Sequence, residues 1–250
     1  MNKIKEKLIW FGKSLLWLIP LLILLDFGTK MWAFYGLQKY DNDTIVIIEH
    51  FFSFRLQFNK GAAWSWLEGE TYLLAGISVV FLIAFSIYFA KKYKTLKTIN
   101  KIIYMLVIAG CAGNMIDRVF QHVPGTPYYN NGVIDFLSFK LIGKNGYDFP
   151  VFNVADMCLV IGVFMLVGVM IVEQVELYKA QKELGNIKEK LAKEINSDGL
   201  TKEDKDEMYS LISKLEVSDL KEKDIMYLKE LINECYEKYP FLKEKQENVL

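Results

Sequence analysis

Six ionisable residues stand in or beside stretches otherwise built from apolar side chains: Asp26, Lys30, Asp117, Arg118, Asp135 and Asp156. A charge near the centre of a bilayer costs about 2.5–3.5 kcal/mol, so such residues tend to be paired and functional. The spacing of Asp26 and Lys30 puts them on one face of a helix, where they can pair; a helix-end ion pair is the plain reading of that couple. Asp117 and Arg118 are adjacent and point to different sides, so each needs a partner on another segment. Asp135 and Asp156 have no obvious local cation. Two carboxylates brought together do not easily both ionise: one keeps its proton, and the site then holds an acid and a base. Such a pair can activate water against a peptide carbonyl and protonate the leaving amine. Taken singly, each aspartate reads first as a helix cap or an interface anchor.

Three amides accompany the charges. Asn59, Asn114 and Asn153 lie in FNKGAAW, AGCAGNMIDR and FNVAD. Buried amides must be satisfied, and they can clamp carboxylates or an extended peptide backbone. Gly61, Gly110 and Gly113 permit close approach of a helix or a substrate, and small-residue helix packing explains them almost as well. No metal site is expected: His50 and His122 are the only histidines, and HExxH is absent. Cys111, Cys158 and Cys235 form no CxxC pair and read as small apolar residues, and no cofactor motif is seen.

The elements that must position these residues follow from composition. The 250-residue chain is 52% hydrophobic yet 24% charged, which requires the charge to be segregated. Residues 1–172 carry 16 Lys+Arg and 11 Asp+Glu, whereas residues 173–250 carry 14 and 19. A slightly basic, very apolar body therefore bears an acidic tail, and the near-zero net charge gives no sign of nucleic-acid binding. Four apolar segments, about 8–37, 71–90, 102–120 and 154–172, are each near the length of about 20 residues that spans a bilayer as a helix. The first follows Lys3, Lys5, Lys7 and Lys13, but its apolar character resumes beyond Asp26 and Lys30, which favours a retained span over a cleaved leader. Lysine placement sets the orientation. The N-terminus holds four lysines and the loop Lys91–Lys101 five; the other two connections hold three and two basic residues. Both termini and the middle loop are thus expected in the cytoplasm. All six charged residues then converge on one outer layer.

The first outer connection, about 44–60, is rich in β-branched and aromatic residues and reads as one or two strands lying at the interface. The second holds the turn-rich HVPGTPYYNNG. The tail looks helical: Met208, Leu211, Ile212 and Leu215 recur at helical spacing, as do Leu228, Leu231, Ile232 and Cys235. Thr201 with Asp204 resembles a cap, and Ser218 could be another. The expected fold class is an all-α membrane bundle of four transmembrane helices with a small extracytoplasmic β-element and a helical soluble C-terminal tail. A transporter could use the same carboxylates, but the charges gather at one level instead of crossing the membrane, and the spans show no repeat halves.

Taken in order, DFGTK (Asp26–Lys30), NKGAAW (Asn59–Trp64), GCAGNMIDR (Gly110–Arg118), GVIDF (Gly132–Phe136) and FNVAD (Phe152–Asp156) resemble lipoprotein signal peptidase, signal peptidase II. The resemblance covers about residues 8–172. It implies that Asp135 and Asp156 are a catalytic dyad and that Asp26, Lys30, Asn59, Gly61, Asn114, Asp117, Arg118, Asn153 and Ala155 shape and hold the site. It implies hydrolysis of diacylated prolipoproteins on the signal-peptide side of the lipidated cysteine, no cofactor, and inhibition by globomycin. The implied partners are those substrates and membrane lipid. A monomer is expected, and the tail, whose role is open, could bind a cytoplasmic partner. Trp64 stands where the family usually has Phe, Ala109 where a second glycine is common, and the interval from Arg118 to Asp135 is longer than the family pattern.

Overall fold

The structure, a computed structural model, describes residues 12, 14–60, 71–120, 123, 125, 132–141, 147–196, 200–220 and 225–242. Gly61, Trp64 and most of the long interval before Asp135 lie outside the described residues. Six helices are described: α1 (Leu18–Leu37), α2 (Thr71–Lys92), α3 (Thr98–Phe120), α4 (Val154–Ile195), α5 (Lys202–Leu220) and α6 (Ile225–Lys238). Among the described residues, four helical stretches are long and apolar enough to cross a membrane: Leu15–Leu37, Ala75–Lys92, Thr98–Phe120 and Val154–Ile195. The chain forms two units, Met1–Leu166 and Val167–Leu250.

In the first unit α3 is the central helix. Its buried face runs through Ile103, Met105, Val107, Ala109, Gly110, Ala112 and Gly113 to Asn114 and Asp117. Elsewhere the spans show large apolar side chains on their outer surface, Val80 and Phe164 among them. Lipid is as apolar as leucine, so exposure of this kind costs nothing in a bilayer, and the helices are held instead by close packing of small residues. Gly110 is the closest such point. A Cβ there would stand 2.5 Å from the Ala155 carbonyl oxygen and 2.7 Å from Leu159 Cγ on α4. Gly110→Ala is therefore expected to lower stability by about 1–3 kcal/mol through overpacking. A lower unfolding midpoint in detergent checks this; a raised one would mean that α4 yields freely.

A small antiparallel sheet of order β1-β2-β3-β4 joins the helices: β1 (Thr44–Ile48), β2 (Phe52–Asn59), β3 (Val133–Leu141) and the two-residue β4 (Tyr147–Asp148). Leu56, Ile134 and Phe136 pack on Ala33 and Leu37 of α1, which docks the sheet against the end of the first span. The first connection thus holds two strands, as its alternation suggests. The second connection holds more than turns: Asp135 lies on a strand and not in a loop. The run VIDFLSFKL is β-branched and aromatic, and it starts after Gly132, whose φ of +87° favours glycine. Pairing of β2 with β3 shifts register between Phe54 and Gln57, so a bulge precedes the Gln57↔Asp135 pair.

In the second unit the last span does not stop near residue 172. Helix α4 continues unbroken to Ile195, because Ala180, Leu184, Ile187 and Leu191 keep an apolar stripe at helical spacing. That stripe packs with Met208 and Leu211 of α5 and Leu228, Leu231, Ile232 and Cys235 of α6. Thr201 and Asp204 form a reciprocal cap: the Asp204 N–H donates to Thr201 Oγ1 at 3.2 Å, and the Thr201 N–H donates to Asp204 Oδ2 at 3.1 Å. Ser218 lies inside α5 and not at its start. Cys158 and Cys235 are buried, Cys111 is partly so, and none of the three is in a disulfide.

Candidate active site

Lys30 is the anchor of the site. Its ammonium is fully buried and lies 2.8 Å from Asp26 Oδ2 and 2.8 Å from Asp117 Oδ2, and it donates to Asn114 Oδ1 at 3.1 Å. Both carboxylates have a second task. Asp26 Oδ1 accepts from the Ala155 N–H at 2.8 Å, tying α1 to the start of α4. Asp117 Oδ2 accepts from the Ile134 N–H at 3.2 Å, tying α3 to β3. Asp117, adjacent to Arg118 in sequence, thus finds its partners on other elements. One ammonium and two carboxylates bind three helices and the sheet together in a region where an unpaired charge would be costly. Gly113 and Ala155 leave room for this: a Cβ on Gly113 would lie 2.6 Å from Asp26 Oδ2.

Asp156 sits at the third position of α4, with Asn153 as the cap residue. The Asp156 N–H donates to Asn153 Oδ1 at 2.9 Å, and the Asn153 N–H returns a bond to Asp156 Oδ2 at 3.1 Å. This is a capping box built from Asn and Asp, so FNVAD starts the helix and aims the carboxylate in one stroke. Asn114 Nδ2 donates to Asp156 Oδ1 at 2.7 Å. Because Lys30 holds Asn114 Oδ1, the amide can offer only its NH2 group to Asp156. The buried ion cluster therefore sets the orientation of the carboxylate through one asparagine.

Asp135 arrives from the sheet. Phe152 bridges to Leu137: the Leu137 N–H donates to Phe152 O at 2.8 Å and the Phe152 N–H to Leu137 O at 3.1 Å. That bridge lays Asn153 beside β3, and Asn153 Nδ2 donates to Asp135 Oδ1 at 2.7 Å. The same group reaches Asn114 Oδ1 at 3.0 Å and the Ile134 carbonyl at 3.3 Å. Asn59 Nδ2, diagonal to Asp135 across the β2–β3 pair, donates to its Oδ2 at 3.2 Å. Asn153 thus touches Asp135 with its side chain and Asp156 with its backbone. Arg118, partly buried, interacts electrostatically with Asp156, Asp117 and Asp135.

Burial and the neighbouring Asp156 charge hold the Asp135 carboxyl well above the usual carboxylate range, against opposing hydrogen bonds from Asn59 and Asn153. A carboxyl that keeps its proton in the folded state but not in the unfolded one makes stability fall as pH rises above about 4. Asp135→Asn removes that penalty. Its unfolding midpoint should gain on the wild type as the pH is raised from about 4 towards neutrality. A difference that stays flat across this interval would show that Asp135 is ionised throughout.

The structure brings Asp26, Lys30, Asn114, Asp117, Asp135, Asn153, Ala155 and Asp156 into one hydrogen-bonded cluster, with Asn59 attached to Asp135. Among the described residues no group of three or more His, Cys, Asp or Glu side chains has the arrangement of a metal site. The sequence reading missed the β3–Phe152 bridge that assembles the cluster. Its signal was the β-prone run from Val133, which the turn-rich segment before it obscured.

A bundle of four membrane-spanning helices with carboxylates and amides gathered at one level is the framework of a polytopic membrane enzyme. Residues 18–172 match the family model of signal peptidase (SPase) II, and the chain belongs to that family. Lipoprotein signal peptidase of Clostridium acetobutylicum is 38% identical over 144 residues, covering 58% of this chain and 84% of the relative. The Clostridium tetani protein of the same name is 35% identical over 156 residues, covering 62% and 91%. A Staphylococcus aureus lipoprotein signal peptidase is 34% identical over 125 residues, covering 50% and 69%. A bacterial membrane enzyme solved by the in meso method at 2.3 Å resolution aligns with TM-score 0.50 at 29% identity, covering 63% of this chain and 87% of that one. The chain is accordingly a bacterial membrane protease, and residues 173–250 lie beyond the family match.

Proposed function

We propose that this chain is an aspartic-type membrane endopeptidase that removes signal peptides from diacylglyceryl-modified prolipoproteins, cutting just before the lipidated cysteine. The observation that carries the proposal is the clamping of Asp135 and Asp156, from a strand and a helix, by the one residue Asn153. Asp135 holds the proton, for the reason its burial gives. Asp156 accepts an amide bond and a backbone N–H at the N-terminus of α4, where the helix dipole favours negative charge, and it serves as the base. Water loses a proton to Asp156 as its oxygen attacks the scissile carbonyl, while Asp135 gives its proton to the carbonyl oxygen. The gem-diol then collapses: Asp156 protonates the leaving nitrogen, the C–N bond breaks, and Asp135 recovers a proton from the diol.

The basic residues of the Lys91–Lys101 loop support a cytoplasmic middle loop, with the site at the outer face and both termini inside. A synthetic lipobox peptide, diacylated or unlipidated, tests the activity with purified protein in detergent. The diacylated peptide should be cut before its cysteine, the unlipidated one should not, and globomycin should block the cut. Cleavage by an Asp135→Asn/Asp156→Asn double variant at the wild-type rate would end the proposal.

A further inference from the structure

A cavity of about 640 Å³ lies along the sheet and shares no lining residue with the cluster around Asp135 and Asp156. Strand alternation places it. Asp135 and Leu137 leave β3 on one side, Ser138 and Lys140 on the other. Ser53 is the cross-strand partner of both Val46 and Ser138, and Arg55 is that of Thr44, so their side chains share the face of Ser138 and Lys140. Thr44, Ser53, Arg55, Ser138 and Lys140 all line the cavity. It therefore opens on the face of β3 opposite Asp135.

Arg55 and Lys140 are exposed, and among the described residues neither is in an ion pair. His50 lines the same cavity, and Glu49 is the one carboxylate in its lining. The charge balance therefore favours an anion. Ser138 points the same way. It is 6% exposed, yet among the described residues its hydroxyl has no hydrogen-bond partner. A buried hydroxyl left without a partner is costly, and a ligand in the cavity would satisfy it. Two cations beside the hydroxyls of Ser53 and Ser138 suit a phosphate, whose oxygens accept from both kinds of donor. The surroundings name its source. Leu56, Ile134 and Phe136 dock the sheet on the end of the first span, at the level of the head groups of a bilayer. Val46, Ile48 and Phe51 also line the cavity and are 61%, 52% and 49% exposed. Apolar side chains next to unpaired cations match a lipid at the interface better than a free ion in water. We propose that this cavity binds the phosphate head group of an anionic phospholipid of the surrounding bilayer, with Arg55 and Lys140 at its charge and Ser53 and Ser138 at its oxygens. That lipid belongs to the bilayer and is not the substrate, so the assignment stands apart from the peptidase reading.

The test uses full-length protein in detergent, with dioctanoyl phosphatidylglycerol as the anionic probe and dioctanoyl phosphatidylcholine as the neutral one, and reads retention by native mass spectrometry. The wild type should hold phosphatidylglycerol the more tightly of the two. Arg55→Gln/Lys140→Gln should weaken phosphatidylglycerol binding at least about tenfold, the scale of one lost charge-assisted hydrogen bond. Both side chains are exposed, so the unfolding midpoint without lipid should stay where it is. Ser138→Ala keeps every charge and should still weaken binding a few-fold. Lys202→Gln, which removes an exposed charge in the second unit, should change nothing. Equal affinity for the two lipids, or wild-type affinity for phosphatidylglycerol in the double variant, would overturn the assignment. Displacement of the lipid by inorganic phosphate at a matching concentration would also overturn it, since the cavity would then be a free-phosphate site. A lipobox-peptide KM that rises in the double variant within discs of phosphatidylcholine alone would give the cavity to the substrate instead.

Discussion

Asp156→Asn is expected to lower kcat on a diacylated peptide by about 10²–10⁴-fold, the range of a lost general acid–base, with KM changed only a few-fold. The substitution keeps the shape of the side chain, and the hydrogen bonds show what it costs. Asp156 accepts from Asn114 Nδ2 and from the Asn153 N–H. An asparagine at residue 156 satisfies one of these donors and opposes the other with its own NH2 group. Losing one such bond costs about 1 kcal/mol of stability, which leaves a folded protein. A drop of three or four decades in rate is therefore a chemical effect. Asp135→Asn should fall as far, and the double variant little further than either single one, because the two groups act as a unit. The wild-type rate should decline on the alkaline side as Asp135 loses its proton, at a pH well above the ordinary carboxylate range because burial and Asp156 both disfavour ionisation. An Asp156→Asn enzyme within tenfold of wild type, with intact folding, would remove Asp156 from the chemistry.

How much of this was legible in the chain depended on the range of the signal. The spans were readable because twenty apolar residues in a row have few alternative fates. The pairing of Asp26 with Lys30 followed from their spacing, and the need of Asp117 for a distant partner followed from its adjacency to Arg118. That this partner is also Lys30, so that one ammonium serves two carboxylates, is a fact of how α1 meets α3 and has no local trace. The strand β3 is an intermediate case. Its residues favour extended structure, but only pairing with β2 and the bridge to Phe152 makes it a strand. The reach of α4 was missed for a different reason. Hydropathy falls after residue 172, yet the helix needs only a buried stripe to continue, and Leu184, Ile187 and Leu191 find theirs against α5 and α6. Asn153 shows the limit most clearly. Sequence marked it as a clamp; its double attachment to Asp135 and Asp156 depends on a backbone bridge between distant segments.

Lys30→Met should be the most destabilising single change in the membrane unit. Methionine fits the volume, so packing is kept and the effect isolates the charge. The ammonium holds Asp26 and Asp117 at 2.8 Å each, and all three side chains are almost fully enclosed. Removing one partner of a buried ion pair costs about 3–5 kcal/mol, because the remaining charge stays unpaired; here two carboxylates are left. The unfolding midpoint in detergent should drop sharply, and adding Asp117→Asn to Lys30→Met should recover part of the loss, which a simple sum of two defects would not do. Lys30→Arg should rescue poorly. A planar guanidinium fork cannot replace a compact ammonium that meets Asp26, Asp117 and Asn114 in a fully enclosed space. Activity supplies the separate readout. Without the ammonium Asn114 Oδ1 keeps only the Asn153 Nδ2 donor at 3.0 Å, the amide is held less firmly, and Asp156 is aimed less precisely. The Lys30→Met/Asp117→Asn protein should accordingly be more stable than Lys30→Met and remain slow in kcat. Recovery of stability and rate together would mean that Lys30 supports the fold alone and has no part in orienting the carboxylate.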